Sequence, residues 1–279
     1  EKFNWDNYLP GYSAMKEKER VVFFLRDGLS AAEKERMAAY GADMNKYLDS
    51  GNEARIKKAY ESRDPRLQMA VITPYAQYNG ASSGIAHTYT LRWPYRGSDS
   101  AEPFDIRTDT NDKFYYLWRK FVPEGLEQTE RDTYGLDIPL IRDAEVLLLK
   151  AEALNEWGST HESEAIRCVN EVRRRAGHVE LNNATYPATK VNGQSDLRER
   201  IRNEYYWEIG GEDSMYFHEL RWGTWKDKKF DNNRNGLMQM WGETTYTWYW
   251  LGDQCWSWPI PAKEMEMNSN LEQNEGWIN

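Results

Sequence analysis

Two cysteines and four histidines in a chain of 279 residues leave little material for a disulfide scaffold or a metal centre. Cys168 and Cys255 have no zinc-ligand spacing, and His87, His161, His178 and His218 are too scattered to form a metal pair. Cys168 lies in a helical pattern with Ile166 and Val169, which favours a buried thiol. A Cys168–Cys255 bridge stays open for an oxidising compartment. No GxSxG, P-loop or HExxH pattern occurs, so neither a cofactor nor an enzyme is expected. No apolar run is long enough for a membrane-spanning helix. Basic charge is also short: 36 Lys and Arg face 45 Asp and Glu, a formal charge of -9. A nucleic-acid surface needs clustered cations and is excluded on this ground. The one basic run, Arg173-Arg174-Arg175, ends a helical pattern, where cations suit the helix dipole.

Aromatic residues are plentiful, with 13 Trp and 18 Tyr, although the mean hydropathy of -0.89 is strongly polar. Rings with an apolar body and a polar tip favour interfaces and wet grooves, and they also fill helical cores. The two readings stay open for each ring. One set lies in the irregular stretch 74–112: Tyr75, Tyr78, Trp93, Tyr95 and, beside it, Arg96. A second lies in the Asn- and Gly-containing stretch 231–252: Trp241, Tyr246, Trp248 and Trp250. Long irregular connections on a rigid scaffold commonly carry recognition.

The first half alternates short elements. Ser30-Ala31-Ala32-Glu33 is a capping-box pattern that opens a helix to about Tyr40, with Gly41 as its stop. A second helix is predicted from about Glu53 to Ser62, ended by Asp64-Pro65. Leu67 to Thr73 and Lys113 to Val122 read as two strands that pair. The second half is helical. The longest pattern runs from Ile138 to Trp157, and Ser159 to Glu162 reads as another capping box. The helix after it carries Ala165, Val169, Val172 and Ala176 on one face, and the pair forms an αα-hairpin. Leu197, Ile201 and Tyr205 define a third helix stopped by Gly210-Gly211, and a short one follows from about Ser214 to Trp222. The spacing of Ala151, Gly158 and Ala165 loosely echoes a tetratricopeptide repeat. The expected fold is mainly α: a tetratricopeptide-like helical scaffold with long irregular loops and a small β-hairpin. Residues 1–135 form its loop- and hairpin-rich part, and 136–279 the helical part and tail.

The long helix carries acids on its apolar side. Glu145 and Glu152 align with Ile141, Leu148 and Asn155, and Arg142 is close enough to pair with Glu145. Two turns separate the acids by roughly 10 Å, a spacing that an inverting glycoside hydrolase could use. The plainer reading makes them structural acids that hold arginines or backbone groups of neighbouring segments.

Several separated segments, taken together, resemble the C-terminal part of the SusD/RagB family. They begin with Arg63-Asp64-Pro65-Arg66-Leu67. Arg142, Ala144, Glu145, Leu148 and Ala151 to Glu156 follow, then Asn170 to Arg173 and Arg175-Ala176-Gly177. Glu204, Glu208, Glu212 and Arg221-Trp222-Gly223 come next, and Pro259-Ile260-Pro261, Glu264, Asn268 and Gln273 to Gly276 close the set. Tyr205, Asp213 and Met215 depart from the pattern. The resemblance implies a nutrient-binding lipoprotein of the outer membrane, exposed at the cell surface, and not an enzyme. Its partner would be a SusC-like TonB-dependent transporter, and its ligand an oligosaccharide or, in another branch, a peptide. Family members are about twice this long. The chain, which starts at Glu1 without Met, reads as their C-terminal domain, with the lipid anchor expected in an N-terminal part. That leaves a further possibility, a transporter-docking scaffold whose partner half holds the ligand site.

Overall fold

The computed structural model describes residues 3–16, 18–82, 84–96, 104–106, 117–125, 135–212, 214–230 and 249–277. These fall into two compact units, the first reaching Glu212 and the second starting at Ser214.

The first unit begins with a core that the apolar run Val21 to Leu25 organises. All five residues are buried, packed with Leu9, Met37, Ile56, Tyr60, Tyr75 and Trp93. A run buried on every side cannot leave its carbonyls unpaired. Asn52 supplies the donor, its Nδ2 reaching the carbonyls of Val22 and Leu25 at 3.1 and 2.5 Å. Helix α1 (Ala31–Tyr40) has the expected capping box, with both Ser30 and Glu33 bonds present and Gly41 in the left-handed region. Helix α2 (Asn52–Glu61) is capped from far along the chain: Asp27 accepts the N–H groups of Gly51, Asn52 and Glu53.

Two of the sequence expectations for this part change. Leu67 to Thr73 is mostly helical. Pro65, whose fixed φ suits a first helical position, opens α3 (Pro65–Ala70), and Asp64 caps it. Only β1 (Val71–Ile72) is extended, and it pairs antiparallel with β5 (Leu117–Trp118); of the second expected strand, residues 117–122 are described, and those after Trp118 form a turn. The stretch 74–112 is less irregular than its composition suggests. It holds a hairpin of β2 (Gln77–Ser82) and β3 (Ile85–Thr90), with β4 (Phe104–Asp105) parallel to β3.

Helices α4 (Asp143–Trp157), α5 (Glu162–Arg175) and α6 (Gln194–Glu208) pack on one another. Their contact faces are Ala144, Leu148, Ala151 and Leu154; Ala165, Val169 and Val172; and Leu197, Ile201 and Tyr205. The long helix starts five residues later than its apolar pattern, because Pro139 pushes Ile138 out of the helical region and Arg142 is extended. The expected capping box at Ser159 is a 3-10 turn (Ser159–His161) without a side-chain cap. Side-chain amides tie helix ends and irregular chain together. Asn155 and Gln194 exchange side-chain-to-carbonyl bonds of 3.2 and 2.7 Å, and Asn170 clamps both the N–H and the C=O of Leu181.

The second unit holds α7 (Ser214–Arg221), α8 (Trp225–Lys229) and α9 (Ala262–Met267). Its tail is fixed the same way: Gln273 bonds both the N–H and C=O of Ile260, and Asn274 bonds the carbonyl of Trp258. Cys168 and Cys255 are both free thiols.

Because Asp27 serves three N–H groups at once, Asp27→Ala is expected to lower stability by at least the ~1–2 kcal/mol of a lost helix cap. Urea unfolding measures it; a change within 0.5 kcal/mol, about the scatter of a neutral surface substitution, would contradict the capping role.

Candidate functional site

Helix α6 places Glu204 and Glu208 on one side, one turn apart, and Glu212 follows beyond the helix end. All three are nearly inaccessible, and each meets cations from other elements. Glu204 Oε1 accepts from Arg66 of α3 at 2.7 Å, and Arg173 of α5 stands 3.4 Å from its other oxygen. Glu208 takes Arg142 at 2.9 Å, Arg175 at 2.5 Å and Arg66 at 3.3 Å. Glu212 takes Arg142 at 2.7 Å and Lys120 at 2.6 Å. Lys120 also donates to the carbonyls of Glu208 and Gly210. One row of carboxylates therefore joins α3, the chain after β5, the start of α4, α5 and α6. Arg142, which the sequence placed close enough to pair with Glu145, binds Glu208 and Glu212. Glu145 is buried on α4, and Glu152 is partly exposed.

The network leaves distinct marks on proton affinity. Burial raises the Glu204 carboxyl despite Arg66 and Arg173. Burial also acts to raise Glu212, but hydrogen bonds from Arg142 and Lys120 outweigh it and hold the group below its ordinary value. Arg66 is pushed further toward its charged form: burial opposes this, and Asp64 and Glu204 overcome it. His178, 3.4 Å from Asp64, is lowered by burial and by Arg173, which favours the neutral ring.

On the edge of this network lies a cleft of about 170 Å³. Its walls are Trp118, Tyr206 and Trp207, with Arg63, Asp64 and Arg66 beside them. Trp118 and Trp207 are 57% and 47% exposed, which is high for rings of this size in a folded domain. Both are held in place. Trp118 lies against Gly211, where an added Cβ would come within 2.9 Å of the indole. Trp207 stacks on His178 with centroids 5.9 Å apart and planes 16° from parallel. The Arg173 guanidinium stands 6.0 Å from the centre of the Trp207 ring. A second cavity of about 310 Å³ touches Arg142, Glu171 and Arg175, but its arginines are already engaged by Glu208 and Glu212.

The aromatic residues singled out in the sequence have mixed placements. Tyr75, Tyr78 and Trp93 are 3%, 8% and 4% exposed, too covered to offer a ring face to a ligand. The hydroxyls of Tyr75 and Tyr78 donate to the carbonyls of Phe24 and Pro123. They are packing residues, because a ring in a core stays only if its polar tip finds an acceptor. Tyr95 is half-buried, and Arg96 is exposed with its guanidinium on Asp105 at 2.7 and 3.0 Å. Trp250 packs edge-on to Trp225 and Phe230 and tilted against Trp256, with Lys226 4.9 Å from its ring centre. Trp241, Tyr246 and Trp248 lie outside the described residues. Sequence reasoning missed Trp118, Tyr206 and Trp207. A signal existed for Trp207: with Leu197, Ile201 and Tyr205 facing inward, positions 203 and 207 must face out, and a Trp there is exposed by register.

The fold is that of a mainly helical protein, and the comparisons give the family. The profile of the SusD family matches residues 22–277, and the chain belongs to that family. It is 32% identical over 139 residues to a SusD-like protein of Formosa agariphila, covering 50% of this chain and 24% of that relative. It is 28% identical over 161 residues to the starch-binding protein SusD of Bacteroides thetaiotaomicron, covering 57% and 25%. A crystal structure of a SusD-like protein from Bacteroides fragilis superposes with a TM-score of 0.56 at 22% identity, over 79% of this chain and 40% of that one. The matched segments thus cover about a quarter of the curated relatives' length. No helix among the described residues is long and apolar enough to cross a membrane.

Removing one partner of a buried ion pair strands the other, at a cost of about 3–5 kcal/mol. Arg66→Met is therefore expected to destabilise by about that much in denaturant titrations, and Glu204→Gln in the same direction. A loss below 1 kcal/mol for Arg66→Met would mean that the network is not structural. Glu212 adds a pH dependence. Its folded value lies below the unfolded 4.5, so its contribution is complete above that value and is lost as pH falls through the folded one. The stability gap between wild type and Glu212→Gln should be widest near neutrality and close below pH 4.5. A gap that is flat with pH would contradict the assignment.

Proposed function

We propose that this chain binds an oligosaccharide at the cell surface and presents it to a SusC-like TonB-dependent transporter of the outer membrane. The observation that carries the reading is the cleft of Trp118 and Trp207, two exposed and firmly seated indoles in a chain of the SusD family. Sugar rings present flat C–H faces that an indole covers, while hydroxyls need polar groups at the rim. The cleft is small against the roughly 300–1,000 Å³ of an enclosed ligand pocket, which suits one or two sugar rings of a longer chain resting on an open wall. Starch is what one relative's name says that protein binds, which supports the ligand class without specifying the sugar. Of the earlier candidates among the described residues, Tyr95, Arg96 and Trp250 retain accessible surface.

The role is capture, not hydrolysis. Glu145 is buried, and neither Glu145 nor Glu152 lines the cleft, so the pair does not flank a glycosidic bond there. The protein would act as a lipoprotein through an anchor in its N-terminal part, as the family resemblance implies.

Trp118→Ala and Trp207→Ala are each expected to weaken glycan binding about tenfold, the ~1.4 kcal/mol of one stacked ring, with unfolding midpoints little changed. Calorimetry against a panel of oligosaccharides and peptides tests this. Tight peptide binding without glycan binding, or glycan hydrolysis by the pure protein, would overturn the reading.

A further inference from the structure

One charge in the cleft has no charged partner among the described residues. Asp64 is engaged by Arg66, whose Nη2 lies 2.7 Å from one of its oxygens, and Arg66 is matched again by Glu204. Arg173 faces Glu204, and His178 faces Asp64. Arg63 differs. Its guanidinium lies over the rings of Phe3, Trp5 and Tyr60, with centroid distances of 5.1, 5.7 and 5.8 Å. Among the described residues it makes no ion pair, and its side-chain N–H groups have no acceptor. Rings stabilise the cation through their faces, yet they leave the in-plane N–H fork unused. That fork matches the geometry of a carboxylate or a sulfate. The three rings also hold the side chain in one place, so little ordering remains to be lost on binding.

We infer that the cleft takes an anionic sugar: an indole wall covers the pyranose, and Arg63 binds its carboxylate or sulfate group. This rests on the glycan-binding reading above and names the substrate class of the same cleft. The formal charge of -9 does not oppose it strongly. At physiological ionic strength the screening length is about 8 Å, so a bound anion responds to the nearest groups and only weakly to the distant surface. Raising salt weakens both the distant repulsion and the local attraction. Salt dependence is thus a poor test, and removing either charge is a better one.

The test uses the 279-residue chain with three probes: an oligogalacturonate, its carboxyl-reduced neutral counterpart and a sulfated galactan oligosaccharide of similar length. Wild type is expected to bind at least one anionic probe about tenfold tighter than the neutral one. Arg63→Gln should bring charged and neutral probes within about threefold of each other, and Arg63→Lys should retain part of the preference. Trp207→Ala should weaken every probe alike. The uronate and sulfate arms show which group is recognised. Thermal unfolding of Arg63→Gln separates lost binding from lost folding, and if that variant unfolds, Arg63→Lys and the charge-reduced probe decide the matter. A neutral probe bound as tightly as both anionic ones overturns this inference and leaves the glycan cleft intact. An anionic preference that survives Arg63→Gln also overturns it. Binding that is indifferent to Trp207→Ala, or absent for every probe, overturns the cleft reading itself.

Discussion

The first unit depends on three carboxylates in a row. Glu204 and Glu208 are buried, the side chain of Glu212 four residues on is nearly covered, and no residue near them in sequence neutralises all three. An uncompensated carboxylate in such a place costs several kcal/mol, more than the hydrophobic contacts around it recover. The cations must therefore come from elsewhere: Arg66 from 138 residues away, Arg142 from 66 and Lys120 from beyond β5. This need decides which segments lie next to α6. Hydrophobic packing alone would let α3 and the β5 segment slide along the helix. A row of paired charges allows one register.

The same constraint positions the cleft. Its two walls come from segments that share no local structure: Trp118 from β5, and Tyr206 and Trp207 from α6. Arg66 ties α3 to α6, and Lys120 ties the chain two residues after Trp118 to the end of α6. Gly211 then lets the indole of Trp118 lie close against the backbone. The rings are set before any ligand arrives. Preorganisation of this kind reduces the ordering cost of binding, which an open and shallow cleft can ill afford.

Much of the helical part was readable from the chain, because its signals are local. The faces of α4, α5 and α6 follow from residues three and four apart, and the capping box at Ser30 needs four consecutive residues. The misreadings have a common cause. Leu67 to Ala70 have strand-like composition, yet Pro65 and the Asp64 cap make them a helix. Tyr75 and Trp93 sit in a loop-like stretch, yet they belong to the core around Val21 to Leu25, a partnership of distant segments that no periodicity announces. Trp118 fails for the same reason: an aromatic in an alternating run shows which face it occupies only when the opposing layer is known. The triplet of acids on and just beyond α6 stood in the sequence as a motif. Its meaning required the arginines to be placed.

The primary amides described earlier concentrate the specification of the irregular chain in a few groups. Asn170, Gln273 and Asn274 hold backbone that no helix or sheet supports, while Asn52, Asn155 and Gln194 tie together the ends of helical segments. Most of these bonds use the NH2 to reach a carbonyl. Hydrolysis of that NH2 leaves a carboxylate, which accepts and cannot donate, so attraction to the same carbonyl becomes repulsion. Such a change alters a side chain by a single atom exchange and escapes any inspection of apolar packing. The durability of the loops and tail is therefore set as much by the slow chemistry of six carboxamides, and by how well their burial shields them from water, as by the thermal stability of the helices.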